Sequence, residues 1–200
     1  ALNKERLKQI LGGFVAVLLG RPGSFHYKRS RQGSSLVDRV AESVLSVSAP
    51  NAVVRDFDPY GYDERQFGSP GIDIPVGRLS RAPNGEYPEY HTSADNLDLI
   101  DAGSLAEALG ICLDISREFD AAEIYRNLAP KGEPQLGKRG LYRQTGGDNL
   151  ASDEFAMLWV LNQSDGEHSL ADIAARSGVS LESLRGAAKS LADAGLLEPL

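Results

Sequence analysis

The 200-residue sequence predicts an α/β domain followed by a small helix-turn-helix module. Three observations predict this. The run Phe14–Leu19 is continuously apolar and ends at Gly20, as a strand buried on both faces of a parallel sheet reads. Strand and helix patterns then alternate as far as Ile124, which is α/β order. Residues 169–194 read as helix, glycine turn, helix.

After the first strand, Ser34 or Ser35 can cap a helix running to about Val47, with Leu36, Val37, Val40, Ala41, Val44 and Leu45 on one face. Ala52–Val54 is a short strand. A loop rich in Gly, Pro and Asp follows from Asp58 to Gly71. Ile72, Ile74 and Val76 alternate with Asp73 and Pro75, which predicts a strand with the proline near an edge or an end. Asn84-Gly85 signals a turn. Ser104 opens a long amphipathic helix that carries Leu105, Leu109, Cys112, Leu113, Ile115 and Phe119 and reaches Ile124. The expected division is an α/β domain over residues 1–128, a linker or surface arm over 129–150 and a helical module over 151–200. Within that module, helices are expected at Ser152–Asn162, Ser169–Arg176 and Ser180–Ala194.

Composition narrows the function classes. With 42% hydrophobic and 24% charged residues the chain can fill a core, so disorder throughout is excluded. Phe14–Leu19 is far short of the ~20 apolar residues of a membrane span. No secretory signal pattern is visible and Cys112 is the lone cysteine, which fits a reducing, cytoplasmic location. A net charge of −7 argues against a nucleic-acid surface.

The C-terminal module ends in Ala-Gly-Leu-Leu-Glu and resembles winged-helix domains, which read DNA with the second helix of the turn. Residues 151–200 hold Arg176, Arg185 and Lys189 against eight acidic side chains. A DNA reader must neutralise phosphates, so a packing or partner-binding module fits better.

Three histidines need separate readings. His168 lies between helices of the acidic module and reads as a surface residue. His26 follows Phe25 in a glycine-rich loop just past the first strand, where open α/β sheets place sites. His91 lies in Tyr90-His91-Thr92-Ser93-Ala94-Asp95, with Thr92, Ser93 and Asp95 as possible caps. A single imidazole is not a zinc site, because zinc takes three or four ligands.

Tyr90–Asn96 resembles the Tyr-His-Thr-x-x-Asp segment of zinc aminopeptidases of the M28 type, in which the histidine is a metal ligand. Gly61–Phe67 with Gly68–Ile72 resembles their Ser-Asp-His-x-x-Phe…Gly-Ile segment. Tyr60–Gly77 and Tyr87–Leu97 are closer still to the aminopeptidase-like DUF4910 family, and the likeness extends to Gly23–Ser30, Leu136–Tyr142 and the final module. That family joins an M28-like peptidase domain to a C-terminal winged helix.

The resemblance implies a partial M28-like zinc-peptidase sheet with flanking helices, forming the C-terminal half of a chain about twice this length. It implies two zinc ions in the complete enzyme, with His91 as one ligand, and a peptide or amide substrate. Asp63, Arg65, Tyr62 and Asp95 would line the substrate or support the ligands: Arg65 by binding a carboxylate or pairing with a neighbour, Tyr62 by donating to an oxyanion or simply packing. The His-x-Asp and Glu-Glu segments of such sites are absent, and Arg21 stands where an acidic ligand is expected. The chain alone is therefore expected to hold zinc weakly and to contain no complete catalytic set. An N-terminal half or a second copy is the expected partner. The alternative is a non-catalytic interaction protein with a degenerate peptidase domain and a partner- or DNA-binding winged helix. Lys28 and Arg29 read as a solvated basic face.

Overall fold

The computed structural model describes residue 7, residues 9–141 and residues 152–200. The chain divides into two compact units, residues 1–120 and 121–200. The first contains β1 (Gly13–Val17), β2 (Phe25–Lys28), α1 (Leu36–Ser48), β3 (Val53–Arg55), α2 (Glu64–Phe67), β4 (Val76–Arg81) and α3 (Ala102–Asp120). The second contains β5 (Ile124–Asn127), α4 (Ser152–Gln163), β6 (Asp165–Ser169), α5 (Leu170–Ser177), α6 (Leu181–Asp193) and β7 (Leu197–Pro199).

The first unit is built on a mixed sheet of order β1-β4-β2-β3. β1 runs parallel to β4, β2 antiparallel to β4, and β3 parallel to β2. This departs from the all-parallel sheet expected. β2 is also a strand where a glycine-rich loop was expected, so His26 lies within the sheet. Alternation along the strands gives the two faces different chemistry. Phe25, Tyr27 and Leu79 face one way and form a core with Ala41, Val44 and Leu45 of α1 and Ala108, Ile111 and Ile115 of α3. Both helices therefore cover the same face. The in-register rows Lys28–Arg78 and His26–Ser80 point to the other face.

Several elements differ from expectation for identifiable reasons. Among the described residues β1 has one neighbouring strand, and Phe14, Val15 and Val17 are half-buried while Ala16 is exposed; the strand is not buried on both sides. The strand expected over residues 72–76 begins only at Val76, because Asp73 has a left-handed backbone (φ 52°) that breaks the extended run. The strand that forms instead, Val-Gly-Arg-Leu-Ser-Arg, is buried at all six positions, and its two guanidiniums pair with Glu64 and Glu107, carboxylates distant in sequence. The long helix stops at Asp120, and Ile124 starts a strand of the second unit. Leu105, Leu109 and Leu113 are exposed, not packed.

Capping explains where α1 begins. Ser35 precedes it, and the buried Asp38 carboxylate accepts from the backbone N–H and hydroxyl of both Ser30 and Ser35 and from the Tyr27 hydroxyl. Gly77 makes room for that tyrosine: a Cβ there would sit 2.1 Å from its hydroxyl.

In the second unit the three expected helices appear almost as read, with Ser169 and Ser180 capping α5 and α6. β5, β6 and β7 form an antiparallel sheet of order β6-β5-β7 that periodicity did not reveal. Leu184, Ile173 and Leu191 are core residues, and Leu158 and Trp159 pack against that core. Leu136, in the segment read as a linker or arm, is buried in the same core, while residues 142–150 of that segment lie outside the described residues. No described helix is long and apolar enough to cross a membrane.

Leu184→Ala should lower the unfolding free energy by about 2–5 kcal/mol, the range for emptying a well-packed leucine site. Urea denaturation checks this, and a change near zero would contradict the packing.

Candidate functional site

The site is organised from the polar face of the sheet. Lys28 and Arg78 stand side by side on β2 and β4, and both are fully buried. The buried Glu64 of α2 lies against them, 2.9 Å from Lys28 Nζ and 3.5 Å from Arg78 Nη1. Lys28 also donates to the carbonyls of Asp58 and Tyr60 at 3.0 and 2.8 Å. The expected solvated basic face is thus half wrong. Lys28 is an internal cation, while Arg29 is partly exposed and pairs with Glu42 and Asp56. Gly61 permits the approach, since a Cβ on it would meet Glu64 Oε1 at 2.1 Å and Lys28 Nζ at 2.8 Å.

The ion pair fixes the loop that carries Tyr62. Glu64 Oε2 accepts the Tyr62 backbone N–H at 3.0 Å, and the Arg78 guanidinium lies 5.4 Å from the centre of the Tyr62 ring. The Tyr62 hydroxyl meets the Tyr90 hydroxyl at 3.2 Å. His91 stacks on Tyr90 with ring centroids 3.9 Å apart, and its backbone is left-handed at φ 59°. The imidazole is exposed. Tyr87 meets Tyr90 edge-on at 5.5 Å and donates to Asp95 at 3.1 Å. Burial and the Asp95 carboxylate both raise the Tyr87 pKa, so the phenol keeps its proton and remains a donor. Arg21 lies 4.0 Å over the Tyr87 ring.

Of the residues singled out in the sequence, Tyr62, His91, Asp95 and Arg21 belong to this connected cluster. Asp63 and Arg65 do not join it through any described contact. Asp63 precedes α2, exposed and without a capping bond. Arg65 is exposed and lines a depression with Arg31, Phe57, Pro59 and Gln66. His168 is held by Asp165 at 2.8 Å in the second unit. Sequence reasoning missed Tyr87, Tyr90, Glu64 and the role of Lys28. The Tyr-x-x-Tyr-His spacing was a visible signal for the first two, whereas nothing local marks a lysine and a glutamate 36 positions apart.

His26 is the third part of the polar face. Its Nδ1 accepts from Arg55 Nε at 3.2 Å, and Arg55 in turn pairs with Glu86 at 2.8 Å. Burial first, and then the Arg55 charge, lower its pKa below 6.5. Among the described residues, no group of three or more His, Cys, Asp and Glu side chains could hold a metal ion. His91 alone does not meet the three or four ligands zinc requires, so these residues do not by themselves make a zinc site.

Two stability predictions follow from the polar face. Glu64→Gln should cost about 3–5 kcal/mol, because it leaves buried cations without their counter-charge. Lys28→Met combined with it should cost less than the sum of the two single changes in a urea double-mutant cycle. For His26, the unfolded chain takes up the proton at a higher pH than the folded one. Stability is therefore complete above pH 6.5 and falls as the pH drops below it. His26→Gln should flatten that part of the pH–stability curve.

Comparison with known proteins adds the family. Residues 1–122 match the domain of unknown function DUF4910, and residues 123–199 match a winged helix-turn-helix family. A Clostridium acetobutylicum protein, provisionally named a polysaccharide biosynthesis protein with an aminopeptidase-like domain, is 45% identical over 197 residues, covering 98% of this chain and 45% of its own. A crystal structure from the same organism, provisionally titled a peptidase, is 42% identical with a TM-score of 0.62, covering 99% of this chain and 44% of that one. This chain therefore spans less than half the length of these relatives, and it belongs to the DUF4910 family, with a winged helix following the family domain.

Proposed function

We propose that the chain forms part of an aminopeptidase-like hydrolase of the M28 type that cleaves a peptide or amide bond. The observation that carries this reading is the Tyr62–Tyr90–His91 cluster. Its Tyr90 and His91 follow the carboxyl end of β4, the region where open α/β folds place their sites. The names of the relatives, aminopeptidase-like and peptidase, support it.

In this reading the paired hydroxyls of Tyr62 and Tyr90 carry two protons and use one between themselves. The pair can present a donor to the oxyanion that develops on an attacked carbonyl. Asp95 fixes Tyr87, whose ring carries Arg21. Arg65 and Asp63 offer charge to the substrate from the exposed turn at α2. His91 would give one imidazole to zinc. The other ligands, for two ions, and the general base would come from a longer polypeptide, since among the described residues no group of three or more His, Cys, Asp and Glu side chains could hold a metal ion. A cytoplasmic location is part of the proposal and rests on the lone Cys112.

The winged helix serves in this proposal as a packing or protein-contact module, not a DNA reader. The exposed face of α6 offers Arg185, already paired with Glu123 at 2.6 Å, and Lys189, beside Glu182 and Asp193. Such a face does not neutralise a run of phosphates.

The test is a chimera in which this sequence replaces the matching part of the C. acetobutylicum relative, assayed on amino-acid anilides with metal content measured in parallel. His91→Ala should abolish turnover and reduce bound zinc, and His168→Ala should change neither. Full turnover in the His91→Ala chimera, or full activity from the 200-residue chain unaided, would overturn the reading.

A further inference from the structure

Arg21 is a charge held in place without a counter-charge. It stands beyond the carboxyl end of β1, on a backbone that is anchored. The carbonyl of Gly20 accepts from the Asp101 backbone N–H at 2.7 Å, and a Cβ on Gly20 would lie 2.9 Å from Ile100. The guanidinium lies 4.0 Å over the ring of Tyr87, which is buried and tethered through its hydroxyl to Asp95. Arg29, Arg31, Arg55, Arg78 and Arg81 of the same unit each pair with a carboxylate. Among the described residues Arg21 pairs with none. Its Nε and Nη1 are enclosed and have no hydrogen-bond partner, which leaves Nη2 to meet a ligand. The acids of the neighbouring loop do not neutralise it. Asp95 accepts from Tyr87, and Glu89 has an enclosed oxygen that is itself without a partner.

An enclosed polar group without a partner costs stability, so one that persists calls for a functional explanation. Two features suit this guanidinium to an anion. The ring beneath it is fixed, so little side-chain freedom remains to be lost on binding. Its enclosed surroundings screen it less than water screens the exposed Arg65, so an anion gains more from it. Tyr87 meets Tyr90 edge-on, which puts Arg21 one ring away from the paired hydroxyls of Tyr62 and Tyr90. The anion therefore belongs to a group a few bonds from the atom those hydroxyls meet. We propose that Arg21 binds a carboxylate of the substrate and sets a preference for acidic substrates. A planar guanidinium matches a carboxylate, and the ammonium of a lysine would not lie flat on Tyr87 in the same way. The carboxylate has two sources, the side chain of an aspartyl or glutamyl residue beside the scissile bond and the free end of a dipeptide. The inference rests on the hydrolytic reading and names the substrate class of that same site.

The experiment has a binding arm and a kinetic arm. The nitrogen-15-labelled 200-residue chain is titrated with glutarate and, separately, with the neutral glutaramide, while NMR follows the arginine Nε–H signals. Arg21→Met assigns the Arg21 signal by removing it, and the same spectrum shows that the variant is folded. The Arg21 signal should shift saturably with glutarate and not with glutaramide, and the Arg65 signal should stay in place. In the chimera described above, Arg21→Met should lower kcat/KM for a glutamyl anilide about ten- to a hundredfold more than for the glutaminyl anilide, or for alanyl-alanine by that factor more than for alanyl-alaninamide. The first result assigns the carboxylate to a side chain and the second to the free end. Arg21→Lys should restore part of the preference. Three results would overturn the proposal: no shift with glutarate; an equal shift with glutaramide or at Arg65; or both ratios unchanged by Arg21→Met in a chimera that turns over. A chimera without turnover counts against the hydrolytic reading, and the titration alone then decides on Arg21.

Discussion

The ion pair between Lys28 and Glu64 is the constraint on which the polar face of the first unit depends. Taking two charges out of water is costly, and the structure offsets this with two carbonyls directed at the lysine and a backbone N–H directed at the glutamate. Lys28 spends its donors on two loop carbonyls and one carboxylate. Glu64 uses one oxygen for the two cations and the other for the Tyr62 backbone. The outcome is geometric as much as energetic. A loop rich in glycine and proline, with little apolar content to hold it, is tied to the centre of a sheet. Tyr62 reaches Tyr90 because its backbone is fixed by a residue two positions away.

The other face obeys ordinary hydrophobic logic, with one addition. Asp38 gathers five donors at the point where β2 passes into α1, so the start of the helix and the end of the strand are oriented by a single carboxylate. Tyr27 joins that carboxylate to the centre of the sheet, crossing over Gly77. The two faces thus use one device: a buried acid that satisfies polar groups from neighbouring segments.

What the sequence revealed follows from range. The cap at Ser34 or Ser35 and the helix starts at Ser169 and Ser180 were legible because a cap and the helix it starts are neighbours. The α5–α6 turn was legible for the same reason. β4 was not, since Arg78 and Arg81 read as solvent-facing until their partners Glu64, Glu107 and Phe25 are known. The sheet of the second unit escaped because Asp165–Ser169 carries no apolar alternation. Leu105, Leu109 and Leu113 misled in the opposite direction, since their periodicity states that the face is to be buried and not by what. At the site, the Tyr-His-Thr segment drew attention to His91 and Asp95, but the ring contacts that join them to Tyr62 belong to tertiary structure.

Leu18 and Ala82, directly beyond the carboxyl ends of β1 and β4, and His91, in the loop that follows β4, adopt left-handed backbones at φ 56°, 44° and 59° without being glycine. Each such residue stores about 1–2 kcal/mol. The turns around the site are therefore held under tension by their packing and would relax if it were withdrawn. They form the set of segments whose amides open by local release, well before the buried strands behind them yield. Their conformation is thus a gauge of the packing around them.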